Sequence, residues 1–161
     1  MARQSKNTGD RIMLVCQNRR AAHRYHLEGR IEAGLVLAGS EVKSLRERRA
    51  DIEGAYAGLQ GDGLYLHGMH IGPYAQATVF KHEAKASRKL LVHRRELEKL
   101  RGQLTQRGYT LVPLRLYFKG GWAKVELALA KHKDQRDRRQ EIRAQAAERE
   151  AKAAMARARK G

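Results

Sequence analysis

Cysteine, proline and large aromatic residues are scarce in this chain of 161 residues, which contains one Cys, two Pro, one Trp and two Phe. A single cysteine, Cys16, cannot form an intramolecular disulfide, so the fold must depend on its core. Cys16 directly follows the apolar residues 12–15. This setting favours a buried, inert thiol over a nucleophile or a redox sensor, which would need polar and electropositive surroundings.

Long hydrophobic segments are also missing. No apolar run approaches the length of a membrane span, and residues 1–10 are polar, without the apolar stretch of a secretory signal. We therefore expect a flexible N-terminus over residues 1–10, a cytoplasmic location and no membrane partner.

Acidic residues are few relative to basic ones, since 17 Asp and Glu face 34 Lys and Arg, for a net charge of +17. This imbalance predicts attraction to polyanions, above all to nucleic-acid phosphates. One basic cluster alone is typical of a solvated surface, but three clusters with several tyrosines and a tryptophan favour RNA binding. The clusters are Arg19, Arg20 and Arg24; Lys43, Arg46, Arg48 and Arg49; and Lys81, Lys85, Arg88, Lys89, Arg94 and Arg95.

Signals for catalysis are weak. Ser40 and Lys43 match a short S-x-x-K pattern, but its companion motifs are absent, and Ser40 is better interpreted as a helix N-cap. The seven histidines form no H-E-x-x-H pair, and no phosphate-binding glycine loop occurs. We expect no catalytic residues, no metal and no cofactor. An RNA-processing enzyme remains an alternative that depends only on scattered His and Ser residues.

The order of the predicted elements favours a small β-barrel with inserted helices. Strands are predicted at residues 12–16, 25–28 and 33–37, and two more within residues 52–71 around a turn at residues 61–63. A short helix is predicted at residues 41–49. A long helix is predicted from Ser87 to Arg107, because Leu90, Leu97, Leu100 and Leu104 share one helical stripe.

Residues 111–130 carry the clearest pattern, a hairpin that turns at Gly120 and Gly121. A two-residue loop pairs Lys119 with Trp122, and therefore Phe118 with Ala123 and Leu116 with Val125. The alternation predicts one apolar face, formed by Val112, Leu114, Leu116, Phe118, Ala123, Val125, Leu127 and Leu129. The opposite face would pair Arg115 with Glu126 and Tyr117 with Lys124.

Residues 131–161 differ from the rest, with eleven Lys and Arg, five Asp and Glu, and only Ile142 and Met155 as large apolar residues. Such an alanine-rich, charged segment favours helix locally but offers no face to bury. We expect a conditionally ordered basic tail. A membrane-surface helix would need large apolar residues along one side, which the tail lacks.

Several blocks, taken together, resemble the SsrA-binding protein family, also called small protein B. Their order and spacing match from about Ile12 to Arg143. The most specific block runs from Gly39 to Arg46 and reads G-S-E-V-K-S-L-R. The other blocks are residues 18–21, 32–35, 69–74, 88–91 and 116–119.

The resemblance implies an oligonucleotide-binding-type barrel over residues 11–130, with a tail over residues 131–161 that is disordered when free and helical on the ribosome. It implies binding to the tRNA-like domain of transfer-messenger RNA and delivery to stalled 70S ribosomes. There the protein would replace codon–anticodon pairing, with its tail on small-subunit rRNA in the empty mRNA channel. We expect a monomer. The alternative is a general basic ribosome-associated RNA-binding protein.

Matched positions and the basic clusters together define a predicted RNA-binding set. The resemblance assigns contacts with the tRNA-like domain to Asn18 and Arg19, phosphate contacts to Arg88 and Lys89, and an orienting role to Glu32. The resemblance also links Leu91 to RNA binding, whereas the residue pattern alone would place Leu91 in the core. The full set is Asn18, Arg19, Arg20, Arg24, Glu32, Glu41, Lys43, Arg46, Arg88, Lys89, Leu91, Lys119 and Lys124.

The tail keeps most of the family's charge pattern but departs from it at three positions. His132 stands where the family has glycine, Asp134 where it has lysine, and Arg136 where it has histidine or an aromatic residue. A guanidinium can also stack on a base. The predicted ribosome-contacting residues are Lys131, Lys133, Arg136, Asp137, Arg138, Arg139, Ile142 and Arg143.

Overall fold

The computed structural model describes residues 11–74, 82–106, 108–133 and 135–159, and for residues 135–137 the backbone alone. The predicted flexible N-terminus and Lys81 lie outside the described residues. The strands are β1 (Ile12–Gln17), β2 (Tyr25–Leu35), β3 (Ala50–Asp51), β4 (Tyr56–Gln60), β5 (Gly63–His67), β6 (His70–Ile71), β7 (Arg88–Leu91), β8 (Tyr109–Lys119) and β9 (Trp122–His132). The helices are α1 (Ala21–Arg24), α2 (Gly39–Arg46), α3 (Arg94–Leu104) and α4 (Gln135–Arg159).

Six strands close into a small antiparallel barrel. Pairing runs from β8 through β4, β5, β7, β2 and β9, and then returns to β8. β1 extends the sheet by pairing with β8, while β3 and β6 form a separate two-stranded sheet. The predicted mainly-β barrel with inserted helices is confirmed. The barrel interior is filled by the apolar residues that alternate along these strands.

The hairpin register between β8 and β9 is confirmed at its turn. Lys119 pairs with Trp122, Leu116 with Val125, and Arg115 with Glu126. Gly120 and Gly121 have φ of 57° and 84°. Both turn residues therefore adopt the left-handed region that a type I′ turn requires, which explains why glycine occupies both positions.

A β-bulge interrupts this hairpin between Pro113 and Arg115. Beyond the bulge the alternation is inverted, so that Leu111 packs in the barrel core, whereas Val112 and Leu114 join a second cluster. The prediction of a single apolar face is therefore wrong for Val112 and Leu114. Proline lacks the N–H that a continuous ladder needs, and a bulge is where a strand tolerates it.

The second apolar cluster lies on the outside of the barrel, under α1. Ala21 of this short helix packs with Val112, Leu114, Ala128 and Ala130. This contact fixes α1 on the outer surface of β8 and β9.

The predicted long helix from Ser87 to Arg107 is only partly correct. Its first residues form strand β7, in which Arg88 and Leu90 are buried while Lys89 and Leu91 are exposed. The helix begins at Arg94, where the Glu96 carboxylate accepts a hydrogen bond from the His93 N–H at 3.4 Å. Pairing of β7 with β2 and β5 overrides the helical spacing of Leu90.

The predicted N-cap of α2 is also shifted. The helix follows Ala38, whose N–H donates to the Glu41 carboxylate at 3.0 Å. The Ser40 hydroxyl instead hydrogen-bonds the Nδ1 atom of His82 at 2.9 Å. Glu41 thus stabilises the first turn of α2, where a negative charge also suits the helix dipole.

The barrel extends slightly further than predicted, since β9 ends at His132 rather than at residue 130. The tail then forms α4, which is exposed along most of its length. Its helical tendency is confirmed, while its state in the free protein stays a prediction. Among the described residues, no helix is long and apolar enough to cross a membrane.

A matched pair of leucines tests the barrel core. We expect Leu116→Ala to lower the free energy of unfolding by about 3 kcal/mol, because Leu116 is fully buried and its loss leaves a cavity. Leu91→Ala should change it by less than about 0.5 kcal/mol, because Leu91 is exposed. Urea denaturation measures both, and equal losses would contradict the strand register.

Candidate nucleic-acid interface

Five strands share an outer face that carries most of the candidate contacts. Register pairs place five residues side by side across them. From β7 to β1 these residues are Leu91, Gly34, Lys124, Tyr117 and Leu14. We call the surface that carries this row the outer face.

A second row lies on the same face, two residues away along β2, β9 and β8, and three residues away along β1, where a bulge adds one residue. It contains Glu32, Glu126, Arg115 and Gln17. Residues two apart along a strand are roughly 7 Å apart and point the same way. The outer face therefore presents apolar, aromatic, cationic and acidic groups in a fixed order.

The segment 18–24 lies at one end of the outer face. The Asn18 backbone N–H donates to Leu114 O at 2.8 Å, and its side-chain amide donates to Pro113 O at 3.2 Å. Asn18 thus anchors α1 to the bulge, a structural role that the sequence did not suggest. Arg19 and Arg24 are exposed, and Arg20 pairs with Glu53 at 3.1 Å.

Glu32 has the orienting position that the resemblance implied. Its carboxylate accepts a hydrogen bond from the Tyr117 hydroxyl and lies 3.7 Å from the Lys119 Nζ. Burial, followed by the hydrogen bond to Glu32, raises the pKa of Tyr117, so the phenol remains protonated and can donate. Glu32 therefore holds Tyr117 and Lys119 in place on the outer face.

A groove of about 750 Å³ opens at the other end of the outer face, lined in part by Gly34, Leu91, Trp122 and Lys124. Leu91 is 55% exposed, so its interpretation as a core residue was wrong, because β7 turns Leu90 inward instead. A Cβ at Gly34 would lie 3.3 Å from the Leu91 Cβ. Any side chain at residue 34 would therefore force Leu91 to shift slightly, and glycine avoids this contact.

Three further predicted cations surround this end of the barrel. Lys89 is exposed two residues before Leu91. The Lys43 Nζ lies 5.4 Å from the centre of the Tyr74 ring, and the Arg46 guanidinium lies 4.8 Å from that of Phe118, a groove residue. These contacts hold two long cationic side chains against aromatic rings.

Arg88 and Glu41 do not belong to this surface. Arg88 is 3% exposed, and its Nε donates to the buried Glu41 carboxylate. Its other two nitrogens donate to four carbonyl oxygens, those of Met69, Glu83, Ala84 and Ala86. The predicted phosphate contact of Arg88 is therefore corrected to a structural role, because every guanidinium nitrogen is occupied inside the protein. The predicted RNA contact of Glu41 is corrected in the same way.

The tail residues are divided between the barrel junction and the exposed helix. Lys133 is buried, its Nζ donating to Ala22 O at 2.8 Å and pairing with Glu141. The Lys131 Nζ lies 5.7 Å from the Tyr109 ring centre, and Arg138 donates to Lys133 O at 3.4 Å. Arg139, Ile142 and Arg143 are exposed. The side chains of Arg136 and Asp137 lie outside the described residues.

Sequence reasoning omitted Arg30, Arg115 and Glu126 from the candidate contacts. Arg115 Nη2 donates to Glu126 Oε2 at 2.6 Å, and Arg30 Nη1 lies 3.4 Å from Glu126 Oε1. The signal that could have found two of them was already present, because the hairpin register predicted the pairing of Arg115 with Glu126.

The described residues form neither a metal site nor a reactive thiol. Across residues 11–74, 82–106, 108–133 and 135–159, no three His, Cys, Asp or Glu side chains are placed to hold a metal ion. Burial raises the pKa of the Cys16 thiol to about 11, which keeps it protonated and unreactive near neutral pH.

Comparison with known proteins places these features in a family. The model of the family described as SmpB protein matches residues 15–157. An SsrA-binding protein of Anaeromyxobacter sp. (strain Fw109-5) is 55% identical over 142 residues, which cover 88% of this chain and 84% of that protein. One of Geobacillus thermodenitrificans (strain NG80-2) is 46% identical over 137 residues, covering 85% and 88%.

A solved structure is similar as well. A chain from the structure described as "tmRNA-SmpB: a journey to the center of the bacterial ribosome" aligns with a TM-score of 0.64 and 40% identity. The alignment covers 80% of this chain and 94% of that chain. The fold, the length matched and the sequence identity agree, and the chain belongs to the SmpB protein family, the family of SsrA-binding proteins.

Proposed function

We propose that this chain binds the tRNA-like domain of transfer-messenger RNA and acts in trans-translation in the cytoplasm. It delivers this RNA to stalled ribosomes, as a monomer and without catalysis of its own. On the ribosome it substitutes for codon–anticodon pairing, with its tail in the empty mRNA channel.

The observation that carries the proposal is the composition of the outer face. Arg19 and Arg24 at one end, and Lys124, Leu91 and the groove at the other, come from distant parts of the sequence but form one continuous surface. Cations supply affinity for phosphates, and exposed planar or apolar groups contact unpaired bases, as structured RNA requires. Membership of the SsrA-binding protein family supports the specific RNA.

The ribosomal part of the proposal is supported by α4 and by the solved relative. The helix spans 25 residues from Gln135 to Arg159 and keeps Arg139 and Arg143 exposed. A rod of this kind is roughly 38 Å long at 1.5 Å per residue. The similar solved chain comes from a structure described as SmpB with transfer-messenger RNA in the bacterial ribosome.

A competition experiment separates this function from that of a general basic ribosome-associated protein. Labelled tRNA-like domain is bound to the full chain at physiological salt, and unlabelled tRNA-like domain or bulk tRNA is added as competitor. We expect the specific RNA to compete at concentrations at least about a hundredfold lower than bulk tRNA. Equal competition by both RNAs would instead support the general RNA-binding protein.

A further inference from the structure

Two arginines on the outer face share a single carboxylate. Arg115 and Arg30 each direct one nitrogen at a different oxygen of Glu126, at 2.6 Å and 3.4 Å. The Glu126 side chain is only 13% exposed, whereas those of Arg30 and Arg115 are 66% and 40% exposed. The acid is therefore covered while both guanidiniums face solvent, and the three groups together keep a charge of +1.

These three residues lie between the two ends of the outer face. Arg115 lies beside the bulge that anchors Asn18 and two residues before Tyr117, which pairs with Lys124. Along β8, Leu114 and Lys119 are roughly 17 Å apart at about 3.4 Å per residue. Arg115 therefore lies between the two surfaces, α1 and the groove, that a bound RNA would contact.

The Arg30 side chain reaches the surface between α1 and the groove because of two neighbouring features, a small paired residue and a bulge. It pairs with Ala128, whose small side chain belongs to the cluster beneath α1. A bulge at Gly29, with φ of 45°, precedes it and shifts the register between Glu28 and Arg30. The bulge thereby sets the face on which the Arg30 side chain emerges.

We infer that Arg30 and Arg115 form a guanidinium pair that binds phosphates of the bound RNA, with Glu126 as its positioning residue. The inference deepens the proposed function and rests on it. A guanidinium has five N–H donors, so donors that are not directed at Glu126 can reach phosphate oxygens. Because Glu126 holds the two arginines in place, less side-chain entropy is lost when the RNA binds.

Glu126 provides a test in which the two possible roles give results of opposite sign. An acidic group that merely faces RNA repels phosphates, so its neutralisation should raise affinity. A carboxylate that positions two arginines should lower affinity when it is neutralised. Glu126→Gln keeps the size of the side chain and removes its charge, which makes it the informative substitution.

The experiment measures binding of an in vitro transcript of the tRNA-like domain to the full chain at several salt concentrations. We expect Arg30→Ala and Arg115→Ala each to weaken binding roughly tenfold and to reduce the log–log salt slope by about one phosphate contact. Glu126→Gln should weaken binding at least threefold when both arginines are present. In the Arg30→Ala/Arg115→Ala background, the same substitution should no longer weaken it.

Two controls keep the test interpretable. Glu98→Gln removes a carboxylate that pairs with Arg94 within the exposed face of α3, at 3.8 Å, and should leave affinity unchanged or slightly higher. Arg115→Lys keeps the charge but removes the planar fork, and should retain the salt slope while lowering affinity. This variant keeps the inference testable if Glu126→Gln fails to fold, as judged from its melting temperature.

Failure of the inference and failure of the proposed function are distinguishable. If the unmodified chain binds the transcript while the arginine variants bind equally well, only the arginine pair is overturned. If Glu126→Gln tightens binding, the positioning role is overturned. If the unmodified chain does not prefer the transcript over bulk tRNA, the proposed function falls and the inference falls with it.

Discussion

Replacement of Arg88 by methionine is expected to lower the free energy of unfolding by about 3–5 kcal/mol, enough to unfold a marginally stable domain. The substitution leaves the Glu41 carboxylate buried without its cation, and it also removes the guanidinium donor from four carbonyl oxygens. Urea denaturation followed by circular dichroism measures the loss.

An exposed arginine serves as the matched control. The Arg94 side chain is 92% exposed and pairs with the exposed Glu98, so Arg94→Met should change stability by less than about 0.5 kcal/mol. The double variant Arg88→Met/Glu41→Met should be more stable than Arg88→Met alone, because no uncompensated charge then remains buried. The opposite result would be an Arg88→Met variant that is as stable as Arg94→Met but whose RNA affinity depends less steeply on salt concentration. That result would support the predicted phosphate contact of Arg88.

The second large effect concerns the tail. A chain shortened to end at Lys133 is expected to bind the tRNA-like domain within about twofold of the full chain but to lose tagging of stalled polypeptides. The end point follows from the structure, because β9 continues to His132 and the Lys133 amine contacts Ala22 O. The cut removes α4, most of whose side chains are exposed, together with the Glu141 carboxylate that pairs with the Lys133 amine.

Charge variants of the full-length tail show whether tagging depends on the presence of the helix or on its positive charge. Arg138→Gln/Arg139→Gln/Arg143→Gln should reduce tagging strongly, because rRNA contacts depend on phosphate neutralisation. Glu148→Gln/Glu150→Gln changes two nearby carboxylates of the same helix and should leave tagging intact. Binding and tagging are measured by gel shift and by reconstituted translation on a truncated mRNA. Normal tagging by the shortened chain would refute the division between barrel and tail.

Features that depend on neighbouring residues in the chain could be predicted from the sequence. The Gly120–Gly121 turn determines the register of the β8–β9 hairpin, since positive φ is required at both residues. The helical tendency of α4 follows from its alanine and charged residues. The excess of Lys and Arg alone indicated a polyanionic partner.

Arg88 and Leu91 show where local patterns fail. Both lie in a segment whose leucine spacing suits a helix, yet both belong to a strand between β5 and β2. The strand pairing turns Arg88 inward to Glu41 and leaves Leu91 outside, the reverse of what polarity suggests. The buried Arg88 is stable only because its partners come from α2, from Met69 and from residues 83–86, which local sequence cannot reveal.

The sequence by itself determined the charge of this protein, its hairpin turn, its tail and its family resemblance. Only the tertiary structure decided which charges are available to RNA, since burial and pairing depend on distant segments. Asn18 meets Pro113, Glu32 meets Tyr117, and Arg30 meets Glu126 across separations of 85 to 96 residues. Strand pairing around a closed barrel brings these groups together, because each backbone ladder fixes which side chains share a face.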